Sequence, residues 1–96
     1  MAETRHVRNN HDAHRYELVD GEGQVLGVAD YHVDDGVVVM PHTEIVRHRR
    51  DQGLGAELVQ AALDDVRASG ALVRPLCWYV VEYIDEHPEY KDLVAR

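Results

Sequence analysis

The chain has 96 residues, of which 45% are hydrophobic and 29% are charged, a composition typical of one compact domain rather than of a disordered or fibrous protein. Its 10 basic and 18 acidic side chains give a formal net charge of −8, which repels polyanions, so we expect amines rather than nucleic acid as partners. No apolar run is long enough to span a membrane and the N-terminus is polar, so we expect no membrane association, no signal peptide and a cytoplasmic location.

The first half of the chain predicts a short arm followed by antiparallel strands. Residues 1–13 show no hydrophobic period, so we expect a flexible N-terminal arm, with a single domain over residues 14–96. Residues 15–19 alternate, residues 20–23 (DGEG) favour a turn, and residues 24–33 are apolar and β-prone, which together predict a β-hairpin. A second turn at residues 34–36 precedes a β-branched segment, residues 37–46, in which Pro41 predicts a bend or bulge between two strand segments.

The second half changes to a helical period. One apolar stripe at spacings of three and four comprises Leu54, Leu58, Val59, Ala62, Leu63 and Val66. Gly70 suits the position that ends this helix. Residues 71–76 predict a short buried strand, and residues 77–87 a second helix that Pro88 stops, although their aromatic and β-branched residues would also suit a strand. Residues 89–94 predict one terminal turn.

This order of elements predicts an α/β fold, with a mixed, mainly antiparallel sheet of about five strands and two main helices. A helix that joins two strands of one sheet makes a right-handed crossover, so we expect residues 43–46 and 71–74 to pair in parallel. A domain of this size has a small core, so we expect a monomer or a weak homodimer.

The densest positive charge of the chain lies between the last of these strands and the first helix. Arg47, Arg49 and Arg50 precede a loop that contains Gly53 and Gly55. The unpaired N–H groups and the dipole of a helix N-terminus attract anions, and arginines add charge-assisted hydrogen bonds. The pattern predicts a diphosphate site, and the alternative is an ordinary solvated loop. Its spacing matches neither a P-loop nor a dinucleotide-binding fingerprint.

A family resemblance rests on this loop. Arg50-x-x-Gly53-x-Gly55 resembles the Gln/Arg-x-x-Gly-x-Gly/Ala signature of the Gcn5-related N-acetyltransferases (GNAT), in which the loop holds the pyrophosphate of acetyl-CoA. The likeness extends over residues 16–93, through HTEIV before the loop and ALVRPLCWYVVEYIDEHPEY after the helix, and is to the short, single-cysteine branch. It implies a GNAT-like fold that lacks the last strands of full-length members, since the chain ends soon after the second helix.

The resemblance also implies a co-substrate, acetyl-CoA or coenzyme A, and the residues that hold it. Ile45 and Val46 would offer backbone groups to the pantetheine arm, and the amides of residues 50–56 would bind the diphosphate. The residues expected to bind the cofactor are Ile45, Val46, Arg47, Arg50, Asp51, Gln52, Gly53, Leu54, Gly55, Ala56 and Tyr83.

Acetyl transfer to an amine requires an uncharged nucleophile, a polarised thioester carbonyl and a proton for the departing thiolate. A backbone N–H near Ile45 or Val46 would hold the developing oxyanion. Cys77 lies where a helix N-terminus favours the thiolate, and the resemblance points to it as well. Three roles remain open for it: a nucleophile, an acid and base, or a buried hydrophobic residue without reactivity.

Two tyrosines and one strand face supply further candidates. In larger members of the family a tyrosine on this helix protonates the thiolate, which implicates Tyr79 or Tyr83, and either would also suit the core. His42 and Glu44 project to one face of their strand and Thr43 to the other. Glu44 is therefore a candidate base if its face borders the cleft, and a solvated residue otherwise.

The sequence predicts an acetyl-CoA-dependent N-acetyltransferase that acts on an amine of a small molecule or of a protein, with Cys77, Tyr79 and Glu44 as catalytic candidates. One alternative is a non-catalytic module that binds CoA or acyl-CoA. Another is a small interaction protein whose loop binds nothing. We expect no metal, because the histidines near the N-terminus lack a carboxylate frame and the chain has one cysteine.

Overall fold

The computed structural model describes residues 3–96 and contains one five-stranded sheet with strand order β1-β2-β3-β4-β5. The elements in chain order are β1 (Arg5–Asn10), β2 (Arg15–Asp20), β3 (Val25–Asp34), β4 (Val37–Ile45), α1 (Leu54–Ser69), β5 (Leu72–Pro75) and α2 (Trp78–Glu86). Short 3₁₀ turns cover Arg47–Arg49 and Pro88–Leu93. Strands β1 to β4 are antiparallel and β5 is parallel to β4. The predicted mixed α/β fold is confirmed.

Local chemistry explains both predicted hairpins. In the first turn, Asp20 Oδ1 accepts hydrogen bonds from the backbone N–H groups of Glu22 and Gln24, each at 2.9 Å. In the second, Asp35 and Gly36 both have positive φ, 52° and 78°. Two positive-φ residues between antiparallel strands match the twist of a tight hairpin, and glycine and aspartate adopt this conformation readily.

Strand β1 corrects the prediction of a flexible arm over residues 1–13. Arg5–Asn10 pairs with β2 along its whole length, and Arg8 stands opposite Glu17. Val7 is the one side chain of the strand that packs against the core in the described chain. An edge strand is held by backbone hydrogen bonds, which leave no hydrophobic period in the sequence. Residues 1 and 2 of the expected arm lie outside the described residues.

Strand β4 contains the irregularity that Pro41 predicted. His42 pairs with Asp30 whereas Val39 pairs with His32, so Met40 and Pro41 together stand opposite one residue of β3. This is a β-bulge within one continuous strand rather than a break between two.

The parallel pairing lies on the other side of this bulge from where it was expected. Residues Val37 to Met40 pair with Leu72 to Pro75, so the prediction that residues 43–46 pair with 71–74 is wrong in register, although the parallel direction is right. Beyond Met40 the chain cannot continue the ladder, because Pro41 has no N–H. The Met40 carbonyl instead accepts from the N–H groups of Leu76 and Cys77, at 3.1 and 3.0 Å, as the chain turns into α2. A gap therefore opens between the second half of β4 and α2.

The core lies between the sheet and the two helices. The predicted stripe of α1 is confirmed, since all its members are at most 3% exposed: Leu54, Leu58, Val59, Ala62, Leu63 and Val66. Each fully buried aliphatic side chain of this kind contributes about 1.5–3 kcal/mol to stability. Gly70, in the left-handed conformation at φ 79°, ends the helix as predicted. Among residues 3–96, no helix combines the length and the apolar composition that crossing a membrane requires.

Candidate functional site

The gap between β4 and α2 forms a cleft of about 520 Å³. Three elements meet around it: the second half of β4, the loop that leads into α1, and the first turn of α2. Its lining residues are His42, Thr43, Glu44, Ile45, Arg49, Arg50, Asp51, Gly53, Leu54, Gly55, Trp78 and Tyr79.

The backbone of β4 presents polar groups to this cleft. Val46 donates its N–H to the carbonyl of Leu26 at 2.8 Å, which makes these two residues a hydrogen-bonded pair of the β3–β4 ladder. Hydrogen-bonded and non-hydrogen-bonded pairs alternate in an antiparallel ladder, so the N–H and C=O groups of Thr43 and Ile45 point away from β3. They face the side from which β5 has diverged.

The structure corrects the prediction that Val46 offers backbone groups to a ligand. Its N–H is bonded to Leu26, and its carbonyl accepts from the N–H of Arg49 at 3.0 Å. Of the two predicted residues, Ile45 is the one whose backbone faces the cleft.

The N-terminus of α1 forms the second wall. Gly53 precedes the helix with φ 77°, and its carbonyl accepts the N–H of Glu57 as the first helical hydrogen bond. The amides of the first helical turn, residues 54–56, have no partner within the helix, and they lie at the positive end of the helix dipole. Gly53 has open space around its missing Cβ, so its conformation rather than its size requires glycine. This arrangement suits an anionic ligand.

The arginines of the loop play different parts. The Arg50 side chain lines the cleft and donates from Nε to the carbonyl of Ile45 at 3.2 Å, which leaves the rest of its guanidinium exposed. Arg49 lines the cleft as well, but it is bonded to Glu3 on two nitrogens and to Gln52 at 2.9 Å. Arg47 is exposed and does not line the cleft.

Tyr79, at the start of α2, lines the cleft beside the start of α1. Its hydroxyl lies against Gly55, where an added Cβ would stand 2.6 Å from the phenol oxygen. Desolvation raises the pKa of Tyr79, and the nearby charges of Glu82 and Glu86 raise it further. The phenol therefore keeps its proton at neutral pH and above, and it can donate a hydrogen bond or a proton into the cleft.

The two other predicted side chains of this region lie outside the cleft lining. Cys77 is 8% exposed and belongs to the hydrophobic core, where it precedes the first residue of α2. Tyr83 is also buried, with its ring stacked on His87 at a centroid distance of 4.0 Å. Tyr83 borders a second groove, which shares Trp78 and Tyr79 with the cleft and also contains Ala56.

The outer rim of the cleft is polar and exposed. His42 and Glu44 share one face of β4, as predicted, with side chains 55% and 60% exposed and His42 Nε2 3.8 Å from Glu44 Oε1. Trp78 is 71% exposed and stands edge-on to Tyr79, with ring centroids 5.6 Å apart. Trp78 was not among the predicted site residues. The signal for it was that it lies outside the apolar stripe of α2, which runs through Val80 and Ile84. Within residues 3–96 no group of three or more metal-ligating side chains converges.

Sequence comparison finds relatives among known proteins. The chain is 33% identical over 57 residues to Protein NATD1 of Gallus gallus and of Mus musculus, which is 59% of this chain and 52% of each relative. Protein NATD1 of Homo sapiens is 33% identical over 57 residues, 50% of its own length. The chain therefore spans about half the length of the curated relatives it matches.

A solved structure supports the fold. The NMR solution structure of a GCN5-like protein from Staphylococcus aureus superposes with a TM-score of 0.70 at 19% sequence identity, over 94% of this chain and 87% of that one. The family model of the GCN5-related N-acetyl-transferases matches residues 15–93, which is most of the chain. The protein thus belongs to the GCN5-related N-acetyltransferase family.

Proposed function

We propose that the protein transfers the acetyl group of acetyl-CoA to an amine. The observation that carries the proposal is the cleft itself, which joins a helix N-terminus able to bind phosphates to the backbone of β4, where β5 has diverged. Family membership supports acetyltransferase chemistry in general. What we propose beyond it is that acetyl-CoA is the donor and an amine the acceptor.

The donor groups of the cleft fit coenzyme A. The first-turn amides of α1 and the Arg50 guanidinium would bind the diphosphate, because helix N-terminal amides and arginine both favour phosphate oxygens. The outward-facing amide of Ile45 would bind a carbonyl oxygen of the pantetheine arm, as an added strand would. Asp51 also lines the cleft. Because its carboxylate repels phosphate, this residue would bind the diphosphate through its backbone N–H rather than through its side chain.

Two groups of the chain would assist the transfer. The thioester supplies the acetyl group, whose carbonyl carbon gains a bond to the amine nitrogen and loses its bond to sulfur. The N–H of Thr43, which lies further than Ile45 from the phosphate-binding loop along β4, would stabilise the negative charge that develops on the carbonyl oxygen. The Tyr79 phenol would supply the proton that the departing sulfur takes up, since it lines the cleft and retains its proton at neutral pH, and it would regain a proton from the nitrogen as the amide forms.

The position of Cys77 favours Tyr79 for this role. Cys77 lies in the core rather than in the cleft lining. A proton donor, like a nucleophile, must reach the atom on which it acts. This observation supports the structural alternative for Cys77, in which it acts as a small buried hydrophobic residue.

The rim residues suit a cationic acceptor. Glu44 lines the cleft and is largely exposed, in a chain whose net charge is −8. An acidic rim attracts an ammonium group, and a carboxylate beside it can accept the proton that the amine must lose before it attacks. Trp78, which also lines the cleft and is largely exposed, offers the ring face that cations favour.

The second candidate function is a module that binds CoA or acyl-CoA without catalysis. The burial of Cys77 favours it, because that burial removes one candidate nucleophile from the cleft. Tyr79 remains in the cleft in either case, so binding and turnover have to be measured separately.

Calorimetric titration with acetyl-CoA and with CoA tests the cofactor site. We expect micromolar binding that Arg50→Ala weakens about tenfold, the loss of roughly one charge-assisted hydrogen bond. Arg47→Ala is the matched control, since it removes an exposed arginine of the same loop that does not line the cleft. Absence of binding to the native protein would exclude both CoA functions.

Thiol release from acetyl-CoA in the presence of amines then separates enzyme from module. The acceptor panel should include polyamines, lysine peptides and peptides with free N-termini. Acceptor-dependent release supports the transferase, and tight binding without release to any acceptor supports the module.

A further inference from the structure

One polar atom in the cleft lacks a partner within the protein. Thr43 Oγ1 is shielded from solvent, and within residues 3–96 no group forms a hydrogen bond with it. In that part of the chain it is the one buried side-chain nitrogen or oxygen of which this holds. Such atoms are rare because an unbonded buried hydroxyl is destabilising, and each one therefore calls for an explanation.

The position of Thr43 suggests the explanation. Its side chain shares a strand face with Ile45, which packs against the core, whereas His42 and Glu44 project to the opposite face. Thr43 also lines the cleft, so a ligand that filled the cleft would lie beside its side chain. A threonine kept only for packing would be served equally well by valine, which has the same shape without the hydroxyl.

Strand direction identifies which end of a ligand Thr43 would meet. Strand β4 runs toward the loop and the N-terminus of α1, so Thr43 lies about 6.6 Å back along the strand from Ile45, on the side away from the loop. A ligand with its phosphates at the loop would therefore place the opposite end, which carries the acyl group, beside Thr43.

We propose that the Thr43 hydroxyl donates a hydrogen bond to a carbonyl oxygen at the acyl-bearing end of coenzyme A. This oxygen belongs either to the thioester or to the neighbouring amide of the pantetheine arm. The proposal rests on the proposed cofactor. This hydrogen bond would form without breaking one inside the protein, so no internal hydrogen bond offsets its contribution to the free energy of binding.

The matched pair Thr43→Val and Thr43→Ser tests this proposal. Valine keeps the shape and removes the hydroxyl, whereas serine keeps the hydroxyl. We expect Thr43→Val to bind acetyl-CoA about three- to tenfold more weakly and Thr43→Ser to bind within about twofold of the native protein. The ligand-free Thr43→Val protein should unfold at the same or a higher temperature than the native protein, because no internal hydrogen bond is lost.

Titration with CoA as a second ligand distinguishes the two carbonyl groups. Weaker binding of acetyl-CoA alone assigns the hydrogen bond to the thioester, and equal weakening of both ligands assigns it to the amide. Native-like affinity of Thr43→Val for both ligands overturns the inference, and so does lower stability with unchanged affinity, which would show an internal structural role. If the native protein binds neither ligand, the proposed cofactor itself is wrong, an outcome that no Thr43 variant can mimic.

Discussion

The phenol of Tyr79 lies directly over the backbone of Gly55. A Cβ atom at residue 55 would stand 2.6 Å from the phenol oxygen and 2.8 Å from the ring carbon that bears it, closer than side chains pack. Gly55 lies within α1 and has no positive φ. Glycine is therefore required here because it has no side chain, and not because of its backbone conformation. The start of α1 and the start of α2 are therefore in contact at Gly55.

Substitution of Gly55 by alanine should displace Tyr79 and lower stability. We expect Gly55→Ala to cost about 1–3 kcal/mol, the usual range for a side chain forced into packed surroundings, and to weaken acetyl-CoA binding. Urea denaturation measures the first effect and calorimetry the second.

The same substitution in a Tyr79→Ala background provides the control. With the phenol removed, the alanine at residue 55 has room, so its cost should fall to near zero, a strong non-additivity between neighbours. Additive effects in the two backgrounds would show that the clash with Tyr79 is not the cause.

Removal of the Tyr79 hydroxyl should separate binding from turnover. Tyr79→Phe keeps the ring over Gly55, and we expect it to bind acetyl-CoA like the native protein while kcat falls by about 10²-fold or more, the usual effect of losing a general acid. Steady-state kinetics with the best acceptor measures this. Cys77→Ala is the companion variant. A larger loss of kcat in Cys77→Ala than in Tyr79→Phe would indicate that Cys77, and not Tyr79, is the main catalytic residue.

The pH profile gives a second readout for Tyr79. A proton donor is active while protonated, and desolvation together with Glu82 and Glu86 raises the pKa of this phenol above its ordinary value of about 10. The rate should therefore not fall on the alkaline side through loss of this proton until the pH exceeds about 10. A loss of rate near pH 8 that Tyr79→Phe abolishes would contradict the raised pKa, and a loss near pH 8 that persists in Tyr79→Phe would belong to another group.

The main elements of this fold, and the helix start that lines the cleft, could be predicted because their signals are local. The stripe of α1 repeats along one segment, and Gly53 and Gly55 mark the helix start. Asp20 specifies the first hairpin through hydrogen bonds to its side chain, and Gly36 specifies the second through its positive φ. In each case the residues that carry the signal are also the residues that form the structure.

What the sequence could not show depends on contacts between distant segments. Strand β1 is held by pairing with β2, which leaves no period in its own residues. The parallel register of β5 is limited by Pro41 on another strand. The burial of Cys77 and the exposure of Trp78 follow from how α2 rotates about its own axis, which one residue more or less in the turn after β5 would change.

Glu17 should make the fold sensitive to acid. Its side chain is 1% exposed; burial alone would raise its pKa, but hydrogen bonds from Arg8, Arg15 and Asn10 outweigh burial and lower it. The carboxylate is then more easily ionised in the folded chain than in the unfolded one, where its pKa is about 4.3. It stabilises the fold at pH above that value, and this stabilisation is lost as the pH falls through the folded-state pKa.

Glu17→Gln should reduce both the stability and its dependence on acid. We expect a loss of about 2–3 kcal/mol at pH 7, below the range for fully buried pairs because the two arginines are partly exposed. Urea denaturation at pH 7 and at pH 3 measures both quantities, and the difference between native protein and variant should shrink at pH 3. Glu22→Gln, in an exposed turn, is the control; equal effects of the two substitutions would refute a special role for Glu17.

The ion pair of Glu3 with Arg49 should restrain cofactor binding. Hydrogen bonds from Arg49 and then from Arg5 lower the pKa of Glu3 to about 2, so this carboxylate is ionised at neutral pH and holds a guanidinium that lines the cleft. Glu3→Gln removes that charge and leaves Arg49 available to phosphate. We therefore expect acetyl-CoA to bind up to about fivefold more tightly to Glu3→Gln at low salt, the scale of one exposed ion pair.

Salt and a second variant separate this effect from a change in fold. The advantage of Glu3→Gln should disappear at about 1 M salt, where the screening length is about 3 Å. Arg49→Gln should bind more weakly than the native protein, and Glu3→Gln should then have no effect in the Arg49→Gln background, because the guanidinium through which it acts is gone. An effect of Glu3→Gln that persists in that background would mean that Glu3 acts through Arg5, which also binds Glu57 on α1, and not through the phosphate site.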